Sequence, residues 1–70
     1  MKNKLPQRIK ELRIEQGLKQ CDLAKLCNVK QSCISKWERG ETLPDVEILI
    51  TLVSIFSVSA DYLLGLKDFY

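Results

Sequence analysis

The three cysteines are the residues with the clearest potential for metal or redox chemistry. Cys21, Cys27 and Cys33 lie six residues apart, and the chain has no histidine. A structural zinc site needs a fourth ligand and tighter spacing, and a redox pair usually has the Cys-x-x-Cys spacing. We therefore expect no metal and no cofactor. We expect Cys27 to be a small core residue, and the other two thiols to be exposed and reduced in the cytosol.

The sequence also lacks the groups that usually carry out enzymatic catalysis. Without histidine or a glycine-rich phosphate loop, no evident base activates a serine or cysteine. Seventy residues form one domain with a modest core and no deep active site. We expect a single domain over residues 1–70, with its core in 5–65 and a short tail in 66–70.

Two segments bear on whether the chain enters a membrane or is exported. Residues 48–60 are uncharged, but a membrane-spanning helix needs about 20 apolar residues. The N-terminus has no apolar stretch after its charged residues, so it does not read as a signal peptide. We expect a cytoplasmic protein that is not an enzyme and does not contact a membrane.

The charged residues are divided unequally along the chain. Residues 1–40 hold ten of the eleven Lys and Arg residues and four acidic residues, a net charge of +6. Residues 41–70 hold one lysine and five acidic residues, a net charge of −4. A basic half attracts polyanions, and nucleic acid is the usual one. Many basic surfaces are only solvated, so the charge distribution alone does not establish nucleic-acid binding.

The apolar spacing predicts five short helices and no strands. The first three span about residues 5–16, 20–27 and 31–39. The fourth follows Asp45 as N-cap and ends near residue 56, and the fifth follows Ser59 as N-cap and ends at Gly65. The apolar residues expected in the core of the first three helices are Leu5, Ile9, Leu12, Leu23, Ala24, Cys27, Ile34 and Trp37.

The connection between the second and third helices is short. Asn28 is suited to a left-handed backbone, and Val29 after it can fold back onto the helix end. Only Asn28, Val29 and Lys30 separate the two helices. A turn this short makes the helices cross steeply, which is the geometry of a helix-turn-helix.

Residues 20–40 and their flanks resemble the phage repressor and Cro type of helix-turn-helix, also called the Xre family. The positions that carry the resemblance are Gln20, Leu23, Ala24, Val29, Gln31, Ser32, Ile34, Ser35, Trp37, Glu38, Arg39 and Gly40, with flanking matches in 8–13, 44–45 and 58–64. The resemblance covers about residues 5–65 and implies a five-helix, all-α, lambda-repressor-like domain. Its third helix would lie in the major groove of DNA.

The resemblance also implies roles for individual residues. Gln20 would bond a phosphate and brace Gln31, whose amide would pair with the edge of adenine. Lys36 would bond guanine or a phosphate. The residues expected to meet DNA are Lys19, Gln20, Lys30, Gln31, Ser32, Ser35, Lys36, Arg39 and Thr42. The alternative is that Gln31 and Ser32 are a solvated polar helix start.

Four positions depart from the family pattern. Lys19 and Lys30 replace the usual Thr or Ser caps of the second and third helices, which costs about 1 kcal/mol for each cap. Each lysine would exchange that stability for a phosphate contact, with Asp22 offsetting the loss in the second helix. Asn28 replaces glycine, and Cys27 replaces a larger core residue.

Two further contacts are expected. The resemblance implies a shielded ion pair between Arg13 and Glu38, against the alternative of two solvated charges. An isologous homodimer through the fourth helix, the fifth helix and the tail is expected from apolar surface. Its residues would be Ile48, Ile55, Tyr62, Leu66, Phe69 and Tyr70. The alternatives are that these residues cap a thin core, or that the dimer forms only on DNA.

The sequence therefore predicts a transcriptional repressor that binds a two-fold double-stranded DNA operator as a homodimer. One variant of this function is the antitoxin of a toxin–antitoxin pair, and a toxin or antirepressor is a possible protein partner. An alternative from another class is a protein-interaction module that uses the same fold without binding DNA.

Overall fold

The computed structural model describes residues 3–68, which fold into five α-helices. The helices are α1 (Leu5–Glu15), α2 (Gln20–Cys27), α3 (Gln31–Arg39), α4 (Val46–Phe56) and α5 (Ala60–Leu64). The predicted all-α, five-helix architecture is confirmed, and α1 ends one residue earlier than predicted. Phe69 and Tyr70, two of the residues predicted at a dimer interface, lie outside the described residues.

The core is formed by the apolar faces of all five helices. All eight core residues predicted in the first three helices are buried, and Leu52, Phe56 and Leu63 complete the cluster from α4 and α5. Helices α1 to α4 carry their buried residues at helical spacing, so one stripe of each faces inward, and α5 contributes Leu63. The core thereby fixes how α2 and α3, which would position the DNA-facing residues, lie on α1.

The turn between α2 and α3 has the predicted conformation. Asn28 adopts the left-handed conformation with φ of 57°, and the Val29 N–H donates to Ala24 O at 3.0 Å. Val29 also packs against the core. The bond closes the end of α2, so α3 can begin at Gln31 after three connecting residues.

The starts of α4 and α5 are capped as predicted, and α4 ends at Phe56, where the sequence predicted its end. Asp45 Oδ1 accepts from the Ile48 N–H at 2.9 Å, and Ser59 Oγ accepts from the Tyr62 N–H at 3.0 Å. The residue that follows α4, Ser57, caps the helix with a left-handed backbone, with φ of 55°. Serine rarely adopts this conformation, so the residue type did not predict a left-handed cap at Ser57.

The cysteines differ from one another in burial. Cys27 is buried in the core as expected, and its burial raises the pKa of the thiol. Cys21 and Cys33 are half-buried, so the prediction of two exposed thiols was wrong. Cys33, a residue of α3, packs against the core. Because a buried thiol favours its neutral form, Cys27 is suited to packing and not to nucleophilic chemistry.

Arg8 is a buried charged residue whose burial the sequence did not reveal. It is 8% exposed, and its Nη1 donates to Tyr62 O at 2.6 Å and to Lys67 O at 2.8 Å. The guanidinium also lies 3.8 Å from the centre of the Tyr62 ring, which favours a cation. Arg8 therefore joins α1 to α5 and to the segment that follows α5.

None of the helices formed by residues 3–68 is long and apolar enough to cross a bilayer.

Candidate nucleic-acid interface

The outer face of α3 is polar and, except at half-buried Ser35, exposed. Its five side chains fall within an arc of about 140° when drawn at 3.6 residues per turn. They are Gln31, Ser32, Ser35, Lys36 and Arg39. The opposite face carries Ile34 and Trp37, both buried in the core. Burial of one face thus presents the other to solvent as a continuous polar surface. The structure brings these five predicted residues together.

A shielded ion pair connects α1 to α3 beneath this surface. Arg13 Nε lies 2.6 Å from Glu38 Oε2, and Arg13 Nη2 donates to Glu38 Oε1 at 3.1 Å. The two side chains are 11% and 4% exposed, respectively. Arg13 Nη1 also donates to Leu18 O at 2.8 Å. The guanidinium fork matches the carboxylate, so the pair holds Glu38 in one orientation.

Two glutamines extend the ion pair to the surface. Gln20 Nε2 donates to Glu38 Oε1 at 3.1 Å, and Gln31 Nε2 donates to Gln20 Oε1 at 3.4 Å. Gln31 is exposed, so the network runs from buried Glu38 to the first residue of α3. The sequence had suggested that Gln20 braces Gln31 but had not revealed that Glu38 holds Gln20. The family resemblance alone offered no signal for that bond.

The starts of α2 and α3 differ in how their charges are balanced. At α2, Asp22 Oδ2 accepts from the Lys19 N–H at 2.8 Å and places a carboxylate in the first turn. At α3, Lys30 is the N-cap residue, and no side chain of the described residues accepts a hydrogen bond from the start of the helix. The first turn of α3 has no acidic residue. Both lysines are exposed. Since a helix N-terminus carries partial positive charge, the start of α3 is the more favourable for an anion.

Arg39 is engaged within the protein by two neighbours. Its Nε donates to Glu41 Oε2 at 2.5 Å and its Nη1 donates to Ser35 Oγ. The Arg39 hydrogen bond holds the pKa of Glu41 below its usual range and, reciprocally, raises the pKa of Arg39. Sequence reasoning missed Glu41, although an acid next to a basic helix end was visible in the chain.

Thr42 lies just after the C-terminal end of α3. It is exposed and helps to line a groove of about 590 Å³, which is formed by Asn3, Pro6 and residues 39–43. The groove places Thr42 close to the C-terminal end of α3 and to the start of α1. Thr42 therefore adjoins the polar face of α3 without belonging to it.

The residues predicted at the dimer interface have unequal exposure. Ile48 and Ile55 are half-buried and pack partly against the core. Tyr62 is also half-buried, with its ring under Arg8. Leu66 is 73% exposed. Of the predicted interface residues within 3–68, Leu66 is therefore the one that is largely exposed in the single chain.

Helix α4 exposes other apolar side chains that the sequence reasoning did not single out. Val46 and Ile50 are 72% and 61% exposed. At 3.6 residues per turn they lie about opposite Ile48 and Ile55 around the helix. Helix α4 is therefore apolar over a wider arc than the core of one chain covers.

Residues 9–63 match the helix-turn-helix family HTH_3. The chain belongs to the helix-turn-helix family. Within it, the chain is of the phage repressor and Cro type, as the sequence resemblance implied. The relatives that match this domain are named transcriptional regulators, which agrees with the prediction of a non-enzymatic protein.

Individual relatives agree with this assignment. The chain is 39% identical over 64 residues to the HTH-type transcriptional regulator ImmR of Bacillus subtilis, covering 91% of this chain and 50% of ImmR. The crystal structure of a transcriptional regulator from Listeria innocua superposes with a TM-score of 0.87 at 35% identity, over 93% of this chain and 61% of that one.

A structure of the P22 c2 repressor in complex with synthetic operator 9T is similar over most of both chains. Its TM-score is 0.84 at 36% identity, and the match covers 90% of this chain and 96% of that one. By contrast, the chain spans about half the length of ImmR. The likeness therefore concerns the five-helix domain.

Proposed function

We propose that this protein binds double-stranded DNA sequence-specifically, with α3 in the major groove, and represses transcription by occluding its operator. The observation that carries the proposal is the network from buried Glu38 through Gln20 to Gln31. It holds an amide at the start of α3, where a recognition helix contacts base edges. A glutamine amide pairs with the N6 and N7 atoms of adenine.

The remaining polar residues would position the domain on the DNA backbone. Lys19, Lys30 and Thr42 are exposed around α2 and α3, and Arg39 is exposed on the outer face of α3. Contacts to phosphate fix register and orientation but do not read sequence. We therefore assign base reading to Gln31, Ser32 and Lys36, and assign phosphate contacts mainly to the other cationic residues.

Repression and assembly are proposed from the relatives and from helix α4. The similar P22 protein is named a repressor and is seen with an operator. A homodimer would place two copies of α3 on two half-sites one helical turn of DNA apart. We propose that this dimer forms through the flank of α4 that carries Ile48 and Ile55, continuing over Tyr62 and Leu66.

Selection of bound sequences from a random double-stranded DNA pool tests this function. We expect an enriched two-fold site, bound at least about 1,000-fold more tightly than scrambled DNA at physiological salt. Affinity should fall steeply as salt is raised, because phosphate contacts release counterions. No enrichment and no salt-dependent gel shift would contradict DNA binding. That outcome would favour the alternative of a protein-interaction module.

A further inference from the structure

Glu41 is an acidic residue beside the polar and basic face proposed to meet DNA. It follows α3 directly, after Gly40, whose φ of 75° turns the chain back. The Glu41 N–H donates to Lys36 O at 2.9 Å. This bond closes the end of α3 and places Glu41 against its last turn. The carboxylate is therefore brought to Arg39 by the backbone as well as by its own charge.

The contact between Arg39 and Glu41 does little for the fold. The two side chains are 54% and 52% exposed, and water screens a pair of this kind. Its effect on Arg39 is larger, since the Nε donates to Glu41 and the Nη1 donates to Ser35. A phosphate offers a guanidinium the same kind of oxygen acceptors as a carboxylate. Glu41 and DNA therefore compete for one group.

We propose that Glu41 takes the place of a DNA phosphate at Arg39 in the free protein and releases Arg39 when the protein docks. This inference rests on the proposed function, because it needs DNA to approach the outer face of α3. In the exchange Arg39 leaves one anion for another, so its contact adds less to affinity than a free arginine would. Phosphate contacts carry no sequence information. Glu41 therefore sets the strength and salt dependence of binding and leaves base preference unchanged.

Substitution of Glu41 with an uncharged residue of the same shape tests the exchange. We expect Glu41→Gln to tighten binding about three- to tenfold at about 50 mM salt, on selected and scrambled DNA alike. The log–log salt dependence should steepen by about one unit. Asp61→Asn is the matched control, since Asp61 forms another exposed pair, with Lys67 at 3.7 Å. We expect the control to change affinity by less than about twofold.

An Arg39→Ala background shows whether Glu41 acts through Arg39. There Glu41→Gln should give no gain beyond that of Asp61→Asn. An equal gain in both backgrounds would mean simple repulsion of DNA by Glu41 and would overturn the exchange. DNA binding by the wild type with Glu41→Gln matching Asp61→Asn would overturn this inference alone. No DNA binding by any variant would overturn the proposed function as well.

Discussion

Gln31 reaches the surface at the end of a hydrogen-bonded path that begins at a buried carboxylate. Glu38 is held by Arg13 on one side and receives the Gln20 amide on the other. Gln20 in turn accepts from Gln31. A side chain already held loses less rotamer entropy on binding than a free one. The path therefore favours Gln31 as a residue that reads a base and not only a solvated helix residue.

Replacing Gln31 tests this role directly. We expect Gln31→Ala to weaken binding to the selected site by about 1–3 kcal/mol and to relax preference at one base pair. Binding to scrambled DNA should change much less. Gln7→Ala is the control, because Gln7 is an exposed glutamine of α1 whose side chain donates to Glu11, away from the outer face of α3. Equal losses on both DNAs would show that Gln31 does not read bases.

Removing one partner of the Arg13–Glu38 pair should strongly destabilise the fold, because the other charge is then shielded and unpaired. Each of Arg13→Ala and Glu38→Ala should lower the free energy of unfolding by about 3–5 kcal/mol. Thermal and denaturant melts measure the loss. Replacing both residues with methionine should cost less than the two single changes together, since no unpaired charge then remains.

An exposed pair provides the comparison for this prediction. Asp61 and Lys67 are 52% and 49% exposed and lie 3.7 Å apart. Asp61→Ala should therefore change stability by less than about 1 kcal/mol. Wild-type stability in both Arg13→Ala and Glu38→Ala would mean that the shielded pair behaves like the exposed one.

The lysines at the starts of α2 and α3 should lower helix stability and strengthen DNA binding. Each helix begins at a lysine, whose charge opposes the partial positive charge of the helix end. Asp22 offsets this at α2. At α3 no described residue does so, which supports the proposal that the exposed Lys30 meets a DNA phosphate.

Restoring a capping residue should separate the two effects. We expect Lys30→Ser to stabilise the fold by about 1 kcal/mol, and Lys19→Ser by less, because Asp22 already balances α2. Both variants should bind selected and scrambled DNA more weakly by the same factor, with a salt slope smaller by about one unit. Lys10→Ser, at an exposed position within α1, should not stabilise the protein. Tighter DNA binding by Lys30→Ser would contradict a phosphate contact there.

Helix α4 carries the apolar surface through which we propose that two copies of the chain form a dimer. Its buried stripe of Leu52 and Phe56 is flanked by half-buried Ile48 and Ile55 on one side. Exposed Val46 and Ile50 lie on the other side. A second copy of the chain would cover one of these flanks, and two-fold symmetry would make the contact self-complementary.

Sedimentation at micromolar concentration distinguishes the two flanks. We expect a dimer for the wild type, monomer for Ile48→Asp and Ile55→Asp, and dimer for Ile50→Asp. Circular dichroism must show that the first two variants remain folded, because both side chains also touch the core. Monomer for the wild type would contradict a stable dimer without DNA. Monomer for Ile50→Asp alone would place the interface on the opposite flank.

Most of the fold was predictable because its signals are local. Helix periodicity, the caps at Asp45 and Ser59, and the left-handed turn at Asn28 depend on residues within a few positions of one another. The candidate site followed from the resemblance, which named the outer residues of α3. The expectation of two exposed thiols failed because half-burial of Cys21 and Cys33 depends on how the helices pack.

The sequence by itself determined where the helices begin and end and which face of each is apolar, since both follow from local backbone preference and spacing. Only the tertiary structure decided how charged groups are used. Arg8 is buried against the carbonyls of Tyr62 and Lys67, which lie more than 50 residues away in the chain. The pair between Glu38 and Arg13 was expected from the family resemblance, whereas the bond from Gln20 to Glu38 was not, and both form only when α1, α2 and α3 pack together. Pairing between distant residues depends on the packed arrangement of helices, which no local pattern specifies.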